Sequence, residues 1–247
     1  MTQLAAPAVR QHELEHAEAR GAIYRLAAVA LGYPMEETWE ALADGRLQEA
    51  LNEAWQTLDD EPCPRFETSP SSEDLQVGYM ATFVHGKRGK PRVPLVASAY
   101  DSLVGGLTPG AYLLNVQAFY THFGLTANVD DEGHKDQPDH LIAMLEFCAL
   151  LCHLEVQALE NQRDAAPYRR AQRDFLARYL RPLLQAIRAK YAHENQHGLD
   201  ANLAHLVNVL PDWTHTQQRA LENQVGPCPE EGTRKAGPEA TSQPMWD

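Results

Sequence analysis

The sequence predicts an all-α fold: a single helical-bundle domain of about eight to ten helices over residues 1–225, with a disordered tail over residues 226–247. Three observations support this. Among the apolar residues, 34 Ala and 30 Leu stand against 13 Val and 3 Ile, the reverse of what packed strands select. Apolar residues recur at helical spacing along most of the chain. A length of 247 residues supports a core without disulfides or metal.

The first helix is expected from about Arg10 to Leu31, where Leu14, Ala17, Ile23, Leu26, Ala27 and Ala30 follow the helical period and Gly32-Tyr33-Pro34 stops it. A second amphipathic stretch holds Trp39, Leu42, Leu47, Leu51, Trp55 and Leu58. Gly45 breaks it, and the polar, proline-bearing segment Asp59 to Pro70 ends it as a loop. Ser71 and Ser72 are suited to cap the next helix, on which Leu75, Tyr79, Met80 and Phe83 recur before Gly86. Lys87 to Pro94 has no helical period and reads as an ordered loop, followed by a helical turn from Ser98 to Leu103.

A further helix covers about Gly110 to Phe123 and is closed by Gly124. Leu125 to Gln137 is a polar loop, after which Pro138 is placed at the first position of the most apolar helix, running to about Glu160. The pattern Tyr168, Phe175, Leu176, Tyr179, Leu180, Leu183, Leu184, Ile187, Tyr191 marks the next helix, with a kink expected at Pro182. The last helical segment holds Leu199, Leu203, Leu206, Val207 and Leu210, is interrupted at Pro211 and resumes from Thr214 to Gln224. Seven of the 22 residues after Val225 are Gly or Pro, the composition of a disordered tail.

With 34 acidic and 21 basic side chains the formal charge is −13. That excludes a general nucleic-acid binder, which needs a Lys/Arg surplus to neutralise phosphates. A cationic partner fits better. The four cysteines, Cys63, Cys148, Cys152 and Cys228, form no disulfide framework and no C-x-x-C pair, which suits a reducing compartment. The N-terminal stretch through His12, Glu13, Glu15 and His16 lacks the basic and apolar regions of a signal peptide, and no uninterrupted apolar run approaches the ~20 residues that cross a bilayer. A cytoplasmic protein without a transmembrane segment is expected.

On a helix starting at Pro138, Asp139, Glu146 and His153 fall on one narrow polar stripe of an otherwise apolar surface. Carboxylates beside buried surface are costly unless paired. Two accounts follow: Glu146 meets an Arg of the Arg169 to Arg188 helix, or Asp139, His140 and Glu146 rim a site that receives a guanidinium. Cys148 and Cys152, at i and i+4 with His153 adjacent, present a face for a soft metal, or else pack as small hydrophobes. Lys87, Arg88, Lys90 and Arg92 place four cations within six residues; they suit a phosphate-bearing ligand, an acidic patch on a partner, or a solvated loop. No Gly-x-Ser-x-Gly elbow and no Walker loop occurs, so no catalytic residue is assigned and an enzyme is not expected.

Several segments, in order, resemble the TorD/DmsD/NarJ family of chaperones dedicated to molybdenum oxidoreductases. Tyr24-Arg25-Leu26 with Gly32-Tyr33-Pro34 resembles the family's first helix and its exit. The stretch Tyr79-Met80-Ala81-Thr82-Phe83-Val84-His85-Gly86 resembles Tyr-x-x-Leu-Phe-x-x-Gly. Pro94, Ser98 and Tyr100 resemble Pro-x-x-x-Ser-x-Tyr, and Phe119-Tyr120 with Gly124-Leu125 resembles a Tyr-x-x-x-Gly-Leu helix end. Pro138-Asp139-His140-Leu141, running into Leu145-Glu146-Phe147, resembles the Pro-Asp-His-Leu signature. Phe175-Leu176 to Leu180-Arg181-Pro182-Leu183 resembles Phe-Leu-x-x-His-Leu-x-Pro-Trp. Thr82, Tyr179, Leu183 and Gln137 depart from the family pattern.

The resemblance implies a non-catalytic cytoplasmic chaperone, a monomer or domain-swapped dimer. It would bind the twin-arginine leader and the apo form of a molybdopterin oxidoreductase catalytic subunit, assist cofactor insertion and delay export. The molybdopterin cofactor would belong to the client and none to this chain. The leader site is expected at Tyr79, Phe83, Pro94, Ser98, Tyr100, Pro138, Asp139, His140 and Glu146. The alternative is a helical metal- or nucleotide-binding protein using Cys148, Cys152 and His153 or the Lys87 to Arg92 loop.

Overall fold

The computed structural model describes residues 7–58, 71–86, 89–125, 137–194 and 201–229. The predicted loops at 59–70 and 126–136, Lys87 and Arg88, and the tail beyond Pro229 lie outside the described residues. The described chain is helical: α1 (Pro7–Leu31), α2 (Glu36–Ala43), α3 (Arg46–Thr57), α4 (Ser72–Tyr79), α5 (Asp101–Val104), α6 (Pro109–His122), α7 (Leu141–Glu160), α8 (Ala166–Phe175), α9 (Arg181–Glu194) and α10 (Ala201–Val225). Among the described residues there is no strand, only an isolated antiparallel bridge between Val96 and His140.

The caps are chemical. Ser71 accepts from the Asp74 N–H at the start of α4, and Thr108 accepts from the Ala111 N–H at the start of α6, with Pro109 in its first turn. Each satisfies a helix-end donor that lacks an intrahelical partner. Gly45, at φ 83°, separates α2 from α3.

Helix α7 is the axis of the bundle. It packs on α1 and α8, while α10 packs on α9 and α8. The alanine excess finds its use here: Ala17, Ala27, Ala28 and Ala30 of α1 are buried. A Cβ added at Gly21 would stand 3.1 Å from that of Cys152, so the two helices meet almost backbone to backbone. By length and average composition, the 20-residue α7 is apolar enough to cross a membrane, although it is no uninterrupted apolar run. Its Glu146, His153 and Glu155 break the run in the sequence without lowering its average below that level. Most of it is enclosed by the other helices.

Glu155 of α7 is 1% exposed and is fully engaged. It accepts from Arg20 Nη2 of α1 at 2.6 Å, from Arg169 Nε of α8 at 2.6 Å and from Gln172 Nε2 at 2.7 Å. Arg169 also reaches Glu13 at 3.3 Å. Burial pushes the Glu155 carboxyl upward, but the two guanidinium groups prevail and hold it below the usual carboxylate range.

The two prolines behave differently from expectation. Pro182 lies in the first turn of α9, directly after a π turn over Leu176–Leu180 in which the Arg181 N–H bonds the Leu176 carbonyl. The wider turn accommodates the ring and the missing donor, so the predicted kink takes the form of a π turn. Pro211 does not interrupt the last helix: α10 runs through it. Leu206, Val207, Leu210 and Trp213 are buried around it, and the Thr214 hydroxyl bonds the Leu210 and Pro211 carbonyls. Packing of that apolar face outweighs the local cost of the proline. At its C-terminus, Arg173 Nη1 donates to the Val225 and Gly226 carbonyls, tying α10 to α8.

Candidate functional site

The motif segments meet where the stretch from Gly89 to Tyr100 crosses the start of α7. The Ala97 N–H bonds the Asp139 carbonyl at 3.0 Å and the Leu141 N–H bonds the Leu95 carbonyl at 2.8 Å. Asp139 Oδ2 accepts from the Ser98 N–H at 2.7 Å. Two phenols complete the tie: Tyr100 donates to the Pro94 carbonyl at 2.7 Å, and Tyr120 to the Pro138 carbonyl at 2.6 Å. Burial raises both phenol pKa values, so both remain protonated donors at neutral pH.

This geometry corrects the sequence reading of Pro138-Asp139-His140. Helix α7 starts at Leu141, not Pro138, and His140 is its cap, its Nδ1 accepting from the Ile142 N–H at 3.2 Å. Asp139 therefore precedes the helix and shares no helical face with Glu146. It is 0% exposed and, rather than rimming a mouth, holds the turn at Ser98 from beneath. Its Oδ1 has no partner among the described residues. Burial lowers the His140 pKa, opposed by Asp139, so the imidazole is neutral at neutral pH.

The remaining predicted residues divide. Pro94, Ser98 and Tyr100 line one cleft of about 770 Å³ together with Lys90, Arg92, Asp101, Lys190 and Glu194. Thus the expected leader-binding segment and the described half of the cationic loop share one wall. Arg92 and Lys190 both face Glu194, at 3.8 and 3.4 Å, so the cleft is of mixed charge rather than rimmed with carboxylates. Tyr79 and Phe83 are buried in the core, in edge contact with each other at 5.2 Å. Glu146 is exposed on α7 and makes no ion pair among the described residues. The carboxylate of α7 that meets arginines is Glu155, which the sequence reading missed. Its signal was the polarity of position 155 inside an apolar helix, next to Cys152.

The metal alternative does not assemble. Cys148 and Cys152 are buried in the core, whereas His153 is exposed and bonds Gln157. Burial raises both thiol pKa values, that of Cys152 to about 12, so neither supplies a thiolate at neutral pH. Among the described residues no three His, Cys, Asp or Glu side chains converge as a metal site.

A second cleft, of about 630 Å³, opens on the other side of Arg92, which lines both. It is lined by Tyr33, Glu73, Gln76, Val77, Met80, Ala81, His85 and Gly86. Gly86 sits where no other residue fits, because a Cβ there would lie 2.0 Å from the Lys90 carbonyl oxygen. The close crossing is fixed by the Arg92 N–H on the His85 carbonyl and the Val93 N–H on the Thr82 carbonyl.

The family model described as nitrate reductase delta subunit matches residues 44–189, a range that contains both clefts except the Tyr33 edge and Lys190, Glu194. The chain is 39% identical over 246 residues to the dimethyl sulfide dehydrogenase assembly chaperone protein of Rhodovulum sulfidophilum, covering 99% of this chain and 98% of that one. It is 30% identical over 182 residues to the perchlorate reductase assembly chaperone protein of Dechloromonas aromatica (strain RCB), covering 70% and 77%. With the selenate reductase assembly chaperone protein of Thauera selenatis it shares 31% over 178 residues, covering 72% and 79%. No solved structure matches the chain significantly. The relatives are chaperones by name and not catalysts, the resemblance read from the motifs is borne out, and the chain belongs to the nitrate reductase delta subunit family.

Proposed function

We propose that this protein is a cytoplasmic assembly chaperone for the catalytic subunit of a molybdopterin oxidoreductase, of the class represented by the dimethyl sulfide dehydrogenase and the perchlorate and selenate reductases named in its relatives. It binds the subunit's twin-arginine leader and apo form, keeps that form open while the molybdopterin cofactor is inserted, and delays export until then. The cofactor stays with the client, and the chaperone performs no chemistry of its own. The observation that supports this reading most is similarity along essentially the whole length of an assembly chaperone.

The geometry supports this reading. Two adjoining clefts share Arg92 as a common wall, and the bonds of Asp139 to Ser98 and of Tyr100 to Pro94 fasten the adjoining segment. A preformed surface loses little entropy on receiving a flexible segment. The test is co-expression with the dimethyl sulfide dehydrogenase catalytic subunit of Rhodovulum sulfidophilum, followed by purification and molybdenum analysis of that subunit. Complex formation with the apo form and a molybdenum content that depends on the chaperone are expected. Equal molybdenum with and without the chaperone, and no complex, would overturn the reading.

A further inference from the structure

Helix α6 carries apolar side chains on two opposite sides. Tyr112, Val116 and Phe119 are buried, with Tyr112 edge-on to Tyr179 at 5.8 Å and Phe119 edge-on to Phe175 at 5.6 Å. The other side holds Ala111, Leu114 and Ala118, spaced i, i+3, i+7, which is one helix face. Leu114 is 67% exposed, more than any other large hydrophobic among the described residues. Ala118 is exposed with it and Ala111 is half-buried. Leu107 and Leu125, 48% and 38% exposed, stand just beyond the two ends of the helix.

The charge of the region says what suits it as a cover. From Ser102 to Leu125 run 24 consecutive residues without one Asp, Glu, Lys or Arg, in a chain whose formal charge is −13. Two copies of such a chain repel one another over most of their surface, but on this side of α6 no like charges meet. A cationic segment is drawn to carboxylates, and α6 offers it none. The outward residues also match themselves. With two copies of the helix antiparallel about a two-fold axis beside Val116, Leu114 lies opposite Ala118 of the second copy, Ala118 opposite Leu114, and Ala111 opposite Thr121. A large side chain then meets a small one on each side of the axis, so the backbones approach closely without a gap. A surface complementary to itself is what a two-fold interface requires. Asn115 and Gln117 flank the stripe with neutral amides, suited to a polar rim.

We propose that α6 is a self-association surface, through which two copies of this chain dock as antiparallel helices on Ala111, Leu114 and Ala118. No helix is exchanged between them, and the proposal does not rest on the chaperone reading. A stripe of 14 residues, about 21 Å long and about 10 Å wide, is well below the ~800 Å² per partner of a standard interface, so the dimer dissociates on dilution.

Sedimentation velocity on the full chain, from micromolar to submillimolar concentration, tests this. The mass is expected to rise from that of one chain toward that of two and to fall back on dilution. Leu114→Glu places two carboxylates about 6 Å apart along the paired helices and should weaken the dimer about tenfold or more, the scale of losing an anchor residue. Leu114→Lys should do the same alone, whereas an equimolar mixture of the two variants should form the mixed dimer, because opposite charges then meet. Val29→Glu, at an exposed position on α1, is the control and should dimerise like the unaltered chain. Coincident urea transitions verify that the variants fold. A single-chain mass at every concentration overturns the proposal, whatever covers the face instead. A dimer that survives both dilution and Leu114→Glu also overturns it, since the copies then meet elsewhere or exchange helices. So does a mixture of the two Leu114 variants that stays monomeric, since the two positions then do not approach each other.

Discussion

Two regions of this molecule break the rule that charge lies outside and grease inside, and they do so in opposite directions. At Glu155 a carboxylate is buried between two arginines and a glutamine, with every partner in place. At Val77 and Val84, with Met80 and Ala81 half-buried between them, apolar side chains are exposed with no cover among the described residues. The first exception is complete within the chain, so its consequences are for stability. The second has no partner among the described residues, so its consequences are to be sought in binding.

The largest effect that distinguishes the two is expected at the buried network. Glu155→Ala leaves Arg20 as an uncompensated buried charge and Arg169 with Glu13 alone, and should cost about 3–5 kcal/mol, read as a lowered urea midpoint at unchanged slope. A loss under about 1 kcal/mol would mean that water reaches the guanidinium groups. Next is Asp139→Ala, which strips the half-buried Ser98 N–H of its acceptor and should cost about 1–3 kcal/mol. It should also loosen the segment from Gly89 to Tyr100, measurable as faster amide exchange at Ala97 and Ser98.

Acidification supplies a third contrast. The folded pKa of Glu155 is depressed, so its contribution is present above the unfolded value and is lost as pH falls through the folded one. Unfolding free energy measured against pH should therefore keep falling below the usual carboxylate range, and Glu155→Gln should flatten that limb. His140 acts at a milder pH. Its folded pKa lies below the ordinary 6.5, so the unfolded chain takes the proton first and stability declines as pH falls from about 6.5. His140→Asn should remove that decline. The smallest effect belongs to the exposed position on α4: Val77→Gln should move stability by no more than about 0.5 kcal/mol. A large destabilisation there would show that the side chain is covered by this chain itself, and the comparison would fail.

Residues that obey local rules were legible in advance. Ser71 caps α4, Gly45 parts α2 from α3, and the period of Phe175, Tyr179, Leu183 and Ile187 marks the buried face of its helix. Pro94, Ser98 and Tyr100 were expected at a common site and line one cleft. Residues whose role depends on a distant partner were not. Asp139 looked like the first turn of a helix and is a buried acceptor for Ser98, 41 residues away. Pro211 looked like a stop, and the packing of Trp213 and Leu210 carries the helix through it. Tyr79 and Phe83 looked like the floor of a groove, whereas their outward neighbours line it.

The order of apolar and polar residues along the chain was enough to determine an all-α bundle, most of its helices and its family, because helical periodicity, caps and motif order are properties of neighbouring residues. Which side of the α4 helix faces the core, which carboxylate of α7 meets the arginines, and which residues line the two clefts were decided only by the tertiary structure. Burial is settled by what packs against a surface, and the partners of Glu155 and Asp139 come from segments 14 to 135 residues away.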